Sequence, residues 1–445
     1  MFRGIPVDVA SIYEGERIHA DQAYADLGRE LGVELLRVAS DTEVTDGQVY
    51  ITGKNIQDIK KGDNLPFGIY IKVAGERLEE DIEGVFERRI HELMNYIRGF
   101  IHNGSRNSMW CRISDESAEV GLNLEHIGRA LIELFKKEYR VIEKMEVSFY
   151  TEKDKVEELL KTATDVFAIR DEKIKSIRDK DVDVFYGCLL CQSHAPNHVC
   201  IISPSRTSNC GSISWLEAKA AVKIDPNGLI FEVQKGETIE EVKGEFSGVD
   251  EAIKEKSSGS TEKVYLHSMF DHPHTSCGCA EAISFFIPEV NGFGIVDSAF
   301  KGNTPFGMDF SALIKQTGGG IPTHGFLGIS YAYMKSDKFL QGDGGWEKIV
   351  WMPSALKKRF SDYIAEDIID KIATEKEAEN LDSLRSFLLN KKHPAVKENE
   401  KENNSEKPDI SKPVGIPVSG RKVKVIFEGI NFIVGELIIT STDDD

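Results

Sequence analysis

The sequence predicts a mixed α/β protein whose second half holds a metal centre. Strand-like and helical stretches alternate over residues 1–160, which is typical of a sheet covered by helices. Six of the seven cysteines lie between residues 188 and 279, and without a secretory signal this clustering favours metal binding over disulfides. A chain of 445 residues has room for two or three domains. We therefore expect two α/β domains, a tether and a short β segment.

The first expected domain covers residues 1–160. Runs of β-branched and aromatic residues predict strands, and apolar residues at helical spacing predict helices. The strands are expected at 34–38, 47–52 and 67–73, and the helices at 79–100 and 127–139.

The rest of the chain divides by composition. Interleaved charges over 151–180 predict a solvated helix that leads into a metal domain at 161–395. Residues 396–420 contain too few apolar side chains to fold, so we expect a flexible linker there. Residues 421–445 begin with an apolar run that predicts a short β segment, and they end in an acidic tail.

The net charge of −19 excludes some classes of partner. A strongly acidic chain is repelled by nucleic acid and by anionic membrane surfaces, so neither is an expected partner. The N-terminus has no charged segment followed by an apolar one, and no apolar run is long enough to span a bilayer. We expect a cytoplasmic protein.

The first cysteine motif has the spacing C-x2-C-x8-C-x9-C and consists of Cys188, Cys191, Cys200 and Cys210. Four thiolates can hold one tetrahedral-type centre, and soft sulfur suits both zinc and an iron–sulfur cubane. Cys111 lies outside the motif and is expected to be an inert buried thiol.

The second motif is Cys277-Gly278-Cys279. Two cysteines one residue apart can chelate one ion only if the loop between them turns tightly, which a residue without Cβ allows. Two thiolates with the intervening backbone nitrogens would form a square-planar set, the geometry of Ni(II) or Cu(II) rather than zinc. Nickel tolerates thiolate surroundings in a reduced cell better than Cu(II), so nickel is favoured.

Together with Trp215 and the segment Pro273-His274-Thr275-Ser276, the two motifs closely resemble the acetyl-CoA synthase subunits of carbon monoxide dehydrogenase complexes, in the archaeal-type beta form. The resemblance extends from the first residue to about residue 395 and is most specific at the cysteines.

The resemblance implies a nickel–iron–sulfur cluster. Its [4Fe-4S] cubane would be held by Cys188, Cys191, Cys200 and Cys210, with Cys191 also bridging to a proximal nickel. The thiolates of Cys277 and Cys279 would bridge to a second, distal nickel, completed by the backbone nitrogens of Gly278 and Cys279. Cys191, Cys277 and Cys279 would thus be the catalytic residues.

The reaction implied by the resemblance joins carbon monoxide, a methyl group and coenzyme A to acetyl-CoA, or cleaves acetyl-CoA in reverse. The methyl group would come from a corrinoid iron–sulfur protein. The other implied partners are a carbon monoxide dehydrogenase subunit and a ferredoxin-type reductant.

A candidate coenzyme A site lies in the first expected domain. Arginine binds phosphate bidentately, and an indole can stack on adenine. Trp110 best matches the tryptophan that the family places near coenzyme A, and Arg98, Arg106 and Arg112 lie near it in sequence. The alternative is that Trp110 belongs to the core and that the arginines form surface ion pairs.

The alternative to the enzyme is a scaffold subunit with a structural site. A zinc ribbon would explain the first motif, but it leaves Cys277 and Cys279 without a role. A purely electron-transferring iron–sulfur protein would not need them either. The scaffold hypothesis therefore remains the second choice.

Four histidines lie within or near the motifs. We expect His272 and His274 to orient the second motif or donate to its thiolates rather than bind metal, and His194 and His198 to lie over the cubane. His194 stands where the bacterial family members have a phenylalanine. Downstream, Gly318-Gly319-Gly320 predicts a turn, with a loop close to the cluster as the alternative.

Overall fold

The computed structural model describes residues 4–9, 18–106 and 108–396. Over these ranges the protein has the mixed α/β fold that the sequence predicts. Apart from Val396, the predicted linker at 396–420 and the predicted β segment at 421–445 lie outside these ranges, and so does Asn107.

The strands of the described chain form four sheets. In chain order they are β1 (Ala23–Val38), β2 (Val49–Thr52), β3 (Asn64–Ala74), β4 (Phe100–Ser105), β5 (Ser108–Ser114), β6 (Lys144–Tyr150), β7 (Val184–Cys188), β8 (Cys200–Ile202), β9 (Ile230–Gln234), β10 (Thr238–Glu240), β11 (Glu245–Phe246), β12 (Ala282–Ile287), β13 (Gly292–Asp297), β14 (Phe326–Ile329) and β15 (Ile349–Trp351).

The largest sheet has the order β2-β6-β3-β1-β5-β4, with parallel pairs β2/β6 and β1/β3 and antiparallel neighbours elsewhere. A second sheet has the order β8-β7-β9 and is antiparallel. The third has the order β14-β12-β13-β15, and β10 pairs with β11. The cysteine motifs lie at the second and third sheets: β7 and β8 contain Cys188 and Cys200 of the first motif, and β12 follows the second motif.

Helices occupy much of the remaining described chain. They are α1 (Glu83–Met94), α2 (Asp115–Glu119), α3 (Leu124–Glu138), α4 (Lys153–Ile174), α5 (Trp215–Ile224), α6 (Ser247–Lys256), α7 (Phe310–Thr317), α8 (Tyr331–Met334), α9 (Ser354–Arg359), α10 (Glu366–Ile369) and α11 (Leu381–Lys391). None of the helices in the described ranges combines the length and apolarity that crossing a bilayer requires.

Helices cover both faces of the six-stranded sheet. Phe67, Ile69 and Ile71 alternate along β3 and are buried in the core that includes α1 and α3. Tyr70, between them, packs on the other face with α4, which presents Leu159 among its buried residues. The alternation that predicts strand β3 therefore also determines which helix covers each face.

The predicted strands at 34–38 and 67–73 are confirmed within β1 and β3, and the strand predicted at 47–52 is confirmed as β2, which begins two residues later, at Val49. The predicted helix at 79–100 is too long. The observed helix α1 ends at Met94, and the side chain of the next residue, Asn95, donates to the carbonyl of His91. The same side chain exchanges hydrogen bonds with the backbone of His102, and this turns the chain into β4. The predicted helix at 127–139 is confirmed within α3.

Helix α1 belongs to the same buried core as the first cysteine motif. Phe86 of α1 shares one continuous cluster of buried side chains with Tyr186, Cys188 and Trp215. This packing brings α1 next to the cysteines, while the domain boundary near residue 160 stays a prediction.

Asp250 of α6 makes stability depend on pH. Its carboxylate accepts a hydrogen bond of 3.1 Å from the backbone N–H of Val264, yet burial raises the pKa of Asp250 to about 6. The folded chain therefore binds this proton more tightly than the unfolded chain. The resulting stabilisation is complete below the unfolded pKa of about 4 and is lost as pH rises through about 6.

We expect Asp250→Asn to stabilise the protein more at pH 7.5 than at pH 5, because the amide keeps the acceptor and never ionises. Partial exposure screens the effect, so we expect a difference of about 1 kcal/mol. Urea unfolding at both pH values measures it, with Asp165→Asn on the exposed face of α4 as the control. A pH-independent effect of Asp250→Asn would contradict the prediction.

Candidate metal centre

Strand pairing brings Cys188 and Cys200 of the first cysteine motif together. Cys188 is the last residue of β7, and it lies opposite Cys200, the first residue of β8. Cys191 lies between them in a short 3-10 helix, Leu190–Ser193. Directly paired residues of antiparallel strands lie only about 5 Å apart at Cα, so this hairpin gathers three thiols.

The loop after β8 adds the fourth thiol. The Sγ of Cys210 lies 3.3 Å from the Oγ of Ser208, and its neighbour Asn209 donates a hydrogen bond of 3.1 Å to the carbonyl of Thr275. Since Thr275 lies just before the second cysteine motif, this bond connects the side chain of Asn209, in the first motif, to the backbone beside the second motif.

The second motif forms a tight loop before β12. Gly278 has a φ of +98°, a conformation that L side chains rarely adopt, and the backbone N–H of Cys279 points to the Sγ of Cys277 at 3.4 Å. A Cβ added at Gly278 would meet no atom within 4 Å. The glycine is thus required by the turn itself and not by crowding.

The two motifs converge in space. The side-chain ligand atoms of Cys191, His194 and Cys277 all lie within 4.8 Å of one another. Cys191 and Cys277 are buried together, and the half-buried Cys279 packs against them. Thiols separated by more than sixty residues of chain therefore line one small space.

The surroundings shift the pKa values of the thiols in different directions. Burial raises the pKa of Cys188 and Cys210 and raises that of Cys200 to about 12. The pKa of Cys191 is held well below its usual range by hydrogen bonds from the thiols of Cys277 and Cys279, and further by nearby positive charge. Metal binding requires thiolates, and the surroundings of Cys191 favour its thiolate form.

His274 orients the loop and is not free to bind a metal. Its Nε2 accepts a hydrogen bond of 2.9 Å from the backbone N–H of Ile201, and its Nδ1 lies 2.7 Å from the carbonyl of Thr275. These two bonds define one neutral tautomer, with the proton on Nδ1. His272 contacts the ring of Tyr265 instead, at a centroid distance of 5.2 Å.

His194 and His198 take different positions. The Nε2 of His194 lies 3.7 Å from the Sγ of Cys279 and its Nδ1 lies 3.3 Å from the Oγ of Ser193. The Nδ1 of His198 lies 2.9 Å from the Oγ1 of Thr275, and burial lowers the pKa of His198 to about 4. Of the two, His194 is the histidine that faces the converging thiols.

The triple-glycine turn lies against the second motif. The N–H of Gly320 donates to the carbonyl of Ser276 at 2.9 Å, and a Cβ on Gly318 would lie 3.7 Å from the Cα of Gly278. A Cβ on Gly320 would lie 2.6 Å from the backbone nitrogen of His198. The glycines allow this turn to cover both cysteine motifs closely, as the alternative interpretation of the sequence expects.

Two residues of α1 complete the site, and no motif in the sequence identifies them. The Nη2 of Arg88 lies 3.1 Å from the Sγ of Cys191 and 3.0 Å from a carboxylate oxygen of Glu92. Every residue of α1 is buried, including its charged ones. A charged helix with no solvated face is the signal that could have pointed to them, but burial is not visible in the sequence.

The candidate coenzyme A residues are only partly brought together. The guanidinium carbons of Arg112 and Arg29 lie 5.4 and 4.0 Å from the ring centre of Trp110. Arg112 is also bound to Asp26, with a distance of 2.8 Å from its Nε to a carboxylate oxygen. Trp110 thus lies against two arginines, and its contact with coenzyme A stays a prediction.

Arg98 and Arg106 form separate ion pairs. The exposed Arg98 is bound to Glu116 at 2.9 Å, and the buried Arg106 is bound to Asp171 at 2.5 Å. Arg106 also donates to the carbonyls of Gly211 and Phe167. The ion pair of Arg98 is the surface pair of the alternative interpretation, whereas the ion pair of Arg106 is buried. The coenzyme A contacts of both residues stay predictions.

Converging buried thiols within a mixed α/β fold define a candidate metalloprotein. A sequence profile described as "CO dehydrogenase/acetyl-CoA synthase complex beta subunit" matches residues 5–156, and a second profile, for the C-terminal part of the "ACS/CODH beta subunit", matches residues 167–400. The chain belongs to the family of beta subunits of carbon monoxide dehydrogenase/acetyl-CoA synthase complexes. The resemblance of the cysteine motifs is thereby confirmed.

Relatives match over most of their length. The acetyl-CoA decarbonylase/synthase complex subunit beta of Methanopyrus kandleri is 51% identical over 395 residues, which are 88% of this chain and 85% of that one. The subunit of the same name from Methanothermobacter thermautotrophicus is 48% identical over 398 residues, 89% of this chain and 86% of that one. A solved C-terminal domain of an acetyl-coenzyme A synthase alpha subunit is 42% identical and covers 27% of this chain and 96% of that one, with a TM-score of 0.25.

Proposed function

We propose that this chain synthesises or cleaves acetyl-CoA at a nickel–nickel–[4Fe-4S] centre. The substrates would be carbon monoxide, coenzyme A and a methyl group delivered by a corrinoid iron–sulfur protein. The observation that best supports this is the meeting of Cys191 with Cys277 and Cys279 in one buried space. Neither a zinc ribbon nor a simple electron-transfer site requires the second motif.

The residues present fit such a centre. Six soft thiol ligands line the site, and the left-handed Gly278 leaves its backbone open to close approach. Among the residues that the structure describes, none is a hydrogen-bond partner of the buried Nε and Nη1 of Arg88, as expected beside an anionic group. The cubane would be held by Cys188, Cys191, Cys200 and Cys210, and the nickel ions by Cys191, Cys277, Gly278 and Cys279.

When bound, the thiolate-ligated nickel would supply an electron-rich site with open positions for two one-carbon ligands. The chain supplies position and exclusion of water. Burial of Cys191 and Cys277 keeps solvent from one side, while the half-buried Cys279 marks the side open to substrates. His194 lies beside that opening, 3.7 Å from the Cys279 thiol.

Coenzyme A would bind in the domain proposed at 1–160, beside the metal domain proposed at 161–395. Trp110 and Arg112 are the contacts that we favour, because their side chains adjoin. Each of the three arginines would bind phosphate only after leaving its carboxylate partner: Arg98 leaves Glu116, Arg106 leaves Asp171 and Arg112 leaves Asp26. The proposed partners are a carbon monoxide dehydrogenase subunit, the corrinoid protein and a ferredoxin-type reductant, and the proposed location is the cytoplasm.

Metal analysis of anaerobically purified, nickel-reconstituted protein tests the proposal. We expect about two nickel and four iron per chain, together with acetyl-CoA formation from carbon monoxide, a methylated corrinoid protein and coenzyme A. One zinc with neither nickel nor iron would instead favour a structural scaffold subunit. The relatives are named as subunits of a complex, and a complex can include such a subunit.

A further inference from the structure

A buried ion pair on α1 borders the proposed metal centre. The Nη2 of Arg88 lies 3.0 Å from an oxygen of Glu92 one helical turn away, and the side chains are 2% and 0% exposed. Taking two charges out of water is costly unless further hydrogen bonds satisfy them. The remaining contacts of this pair therefore indicate what it does.

Arg88 contacts both cysteine motifs. Its Nη2 lies 3.1 Å from the Sγ of Cys191 and 3.8 Å from the Sγ of Cys279. A guanidinium is always charged and donates in a rigid planar fork, so it favours anionic sulfur over the neutral thiol. The same cationic group thus adjoins one thiol of each motif.

Two nitrogens of the guanidinium remain without a partner in the part of the chain that the structure describes. Among the described residues, the Nε and Nη1 of Arg88 have no hydrogen-bond partner although both are buried. Buried donors of a charged group are rarely left unpaired, so an acceptor-rich group is expected beside them. The sulfur atoms of a thiolate-bound metal cluster are such acceptors.

Glu92 connects Arg88 to the segment that holds Cys191. One carboxylate oxygen binds Arg88, and the other accepts a hydrogen bond of 2.6 Å from the Oγ of Ser193. Ser193 ends the short helix that contains Cys191. The carboxylate therefore fixes the guanidinium relative to the thiol.

We propose that Arg88, held by Glu92, is a positioning residue that hydrogen-bonds the sulfur ligands of the metal centre and stabilises its reduced state. This inference rests on the proposed function, because it requires the cluster. A cluster gains negative charge on reduction. Adjacent positive charge and N–H donors to sulfur offset that charge and raise the reduction potential.

A redox titration followed by EPR tests the inference on protein whose iron and nickel have been counted. The double variant Arg88→Met/Glu92→Gln avoids leaving a lone buried carboxylate. In it we expect the reduced-to-oxidised ratio of the iron–sulfur cluster at a fixed ambient potential to fall about tenfold. For one electron, this corresponds to a reduction potential lowered by about 59 mV. Arg88→Lys should give an intermediate shift, since it keeps the charge and loses the fork.

Arg89→Gln is the matched control. Arg89 is the next residue of α1 and is also buried, but it binds Glu138 through two bonds of 2.6 and 2.9 Å and lacks the thiol contacts. Its replacement should leave the potential unchanged. The inference would also be supported if Arg88→Met/Glu92→Gln contained less iron than the wild type while Arg88→Lys contained the wild-type amount.

Two results would overturn it. If Arg88→Met/Glu92→Gln holds the wild-type amounts of iron and nickel and titrates at the wild-type potential, Arg88 has no role at the cluster, while the proposed function stands. If the wild-type protein itself binds neither iron nor nickel after reconstitution, the proposed function fails and the inference fails with it.

Discussion

Replacing Cys277 and Cys279 together by serine is expected to remove nickel, abolish acetyl-CoA formation and leave the iron in place. Serine offers a hard hydroxyl that stays protonated at neutral pH, so it cannot replace a thiolate that holds nickel. The four thiols of the first motif come from β7, β8 and the loops beside them, and the double substitution does not touch them.

The expected numbers are about four iron per chain in both proteins, a fall in nickel from about two to well below one, and a loss of activity of at least about 100-fold. Elemental analysis and the acetyl-CoA assay on the same samples measure them. Cys111→Ala is the control, because Cys111 is a buried thiol of β5 outside the site. Metal content and complex assembly that stay largely unchanged in the double variant would favour the scaffold function.

The fold of the first 160 residues was largely predictable because its signals are local. Phe67, Ile69 and Ile71 alternate with residues of the opposite face, and period two is enough to predict a strand. The end of α1 was not predictable in this way. It depends on Asn95, whose side chain binds the backbone of His102, a contact that exists only once β4 has folded back.

The cysteines could be predicted as ligands because thiol spacing limits the possible metal sites, and the glycine of the second motif is needed by a turn. Their meeting in space could not be derived from spacing, since it depends on how β7 and β12 lie in different sheets. It was implied only by the resemblance to a family.

Arg88 and Glu92 could not be predicted because charged residues in a helix usually face water. Here α3, α5 and the sheet enclose α1, and all twelve of its residues are buried. Conversely, the arginines near Trp110 were candidates for phosphate binding in the sequence, and all three are ion-paired: Arg98 with Glu116, Arg106 with Asp171 and Arg112 with Asp26. Both differences arise from tertiary partners that no local pattern encodes.

Replacing Gly278 by alanine is expected to weaken nickel binding without disturbing the fold. At a φ of +98° an alanine is strained by about 1–2 kcal/mol, although its Cβ would touch nothing within 4 Å. The loop would relieve the strain by changing φ, and this would separate the thiols of Cys277 and Cys279 from the backbone nitrogens between them. We expect a loss of at least half of the nickel and about a tenfold loss of activity.

Gly121→Ala separates the two contributions. Gly121 has a φ of +88° and open space around its Cβ position, and it lies between α2 and α3, away from the cysteines. Both substitutions should therefore lower the free energy of unfolding of the metal-free protein by a similar amount, about 1–2 kcal/mol, as measured in urea. Only Gly278→Ala should lower the nickel content. Equal nickel contents in the two variants would mean that the backbone at Gly278 does not shape the nickel site, and its ligands would then have to be sought among side chains alone.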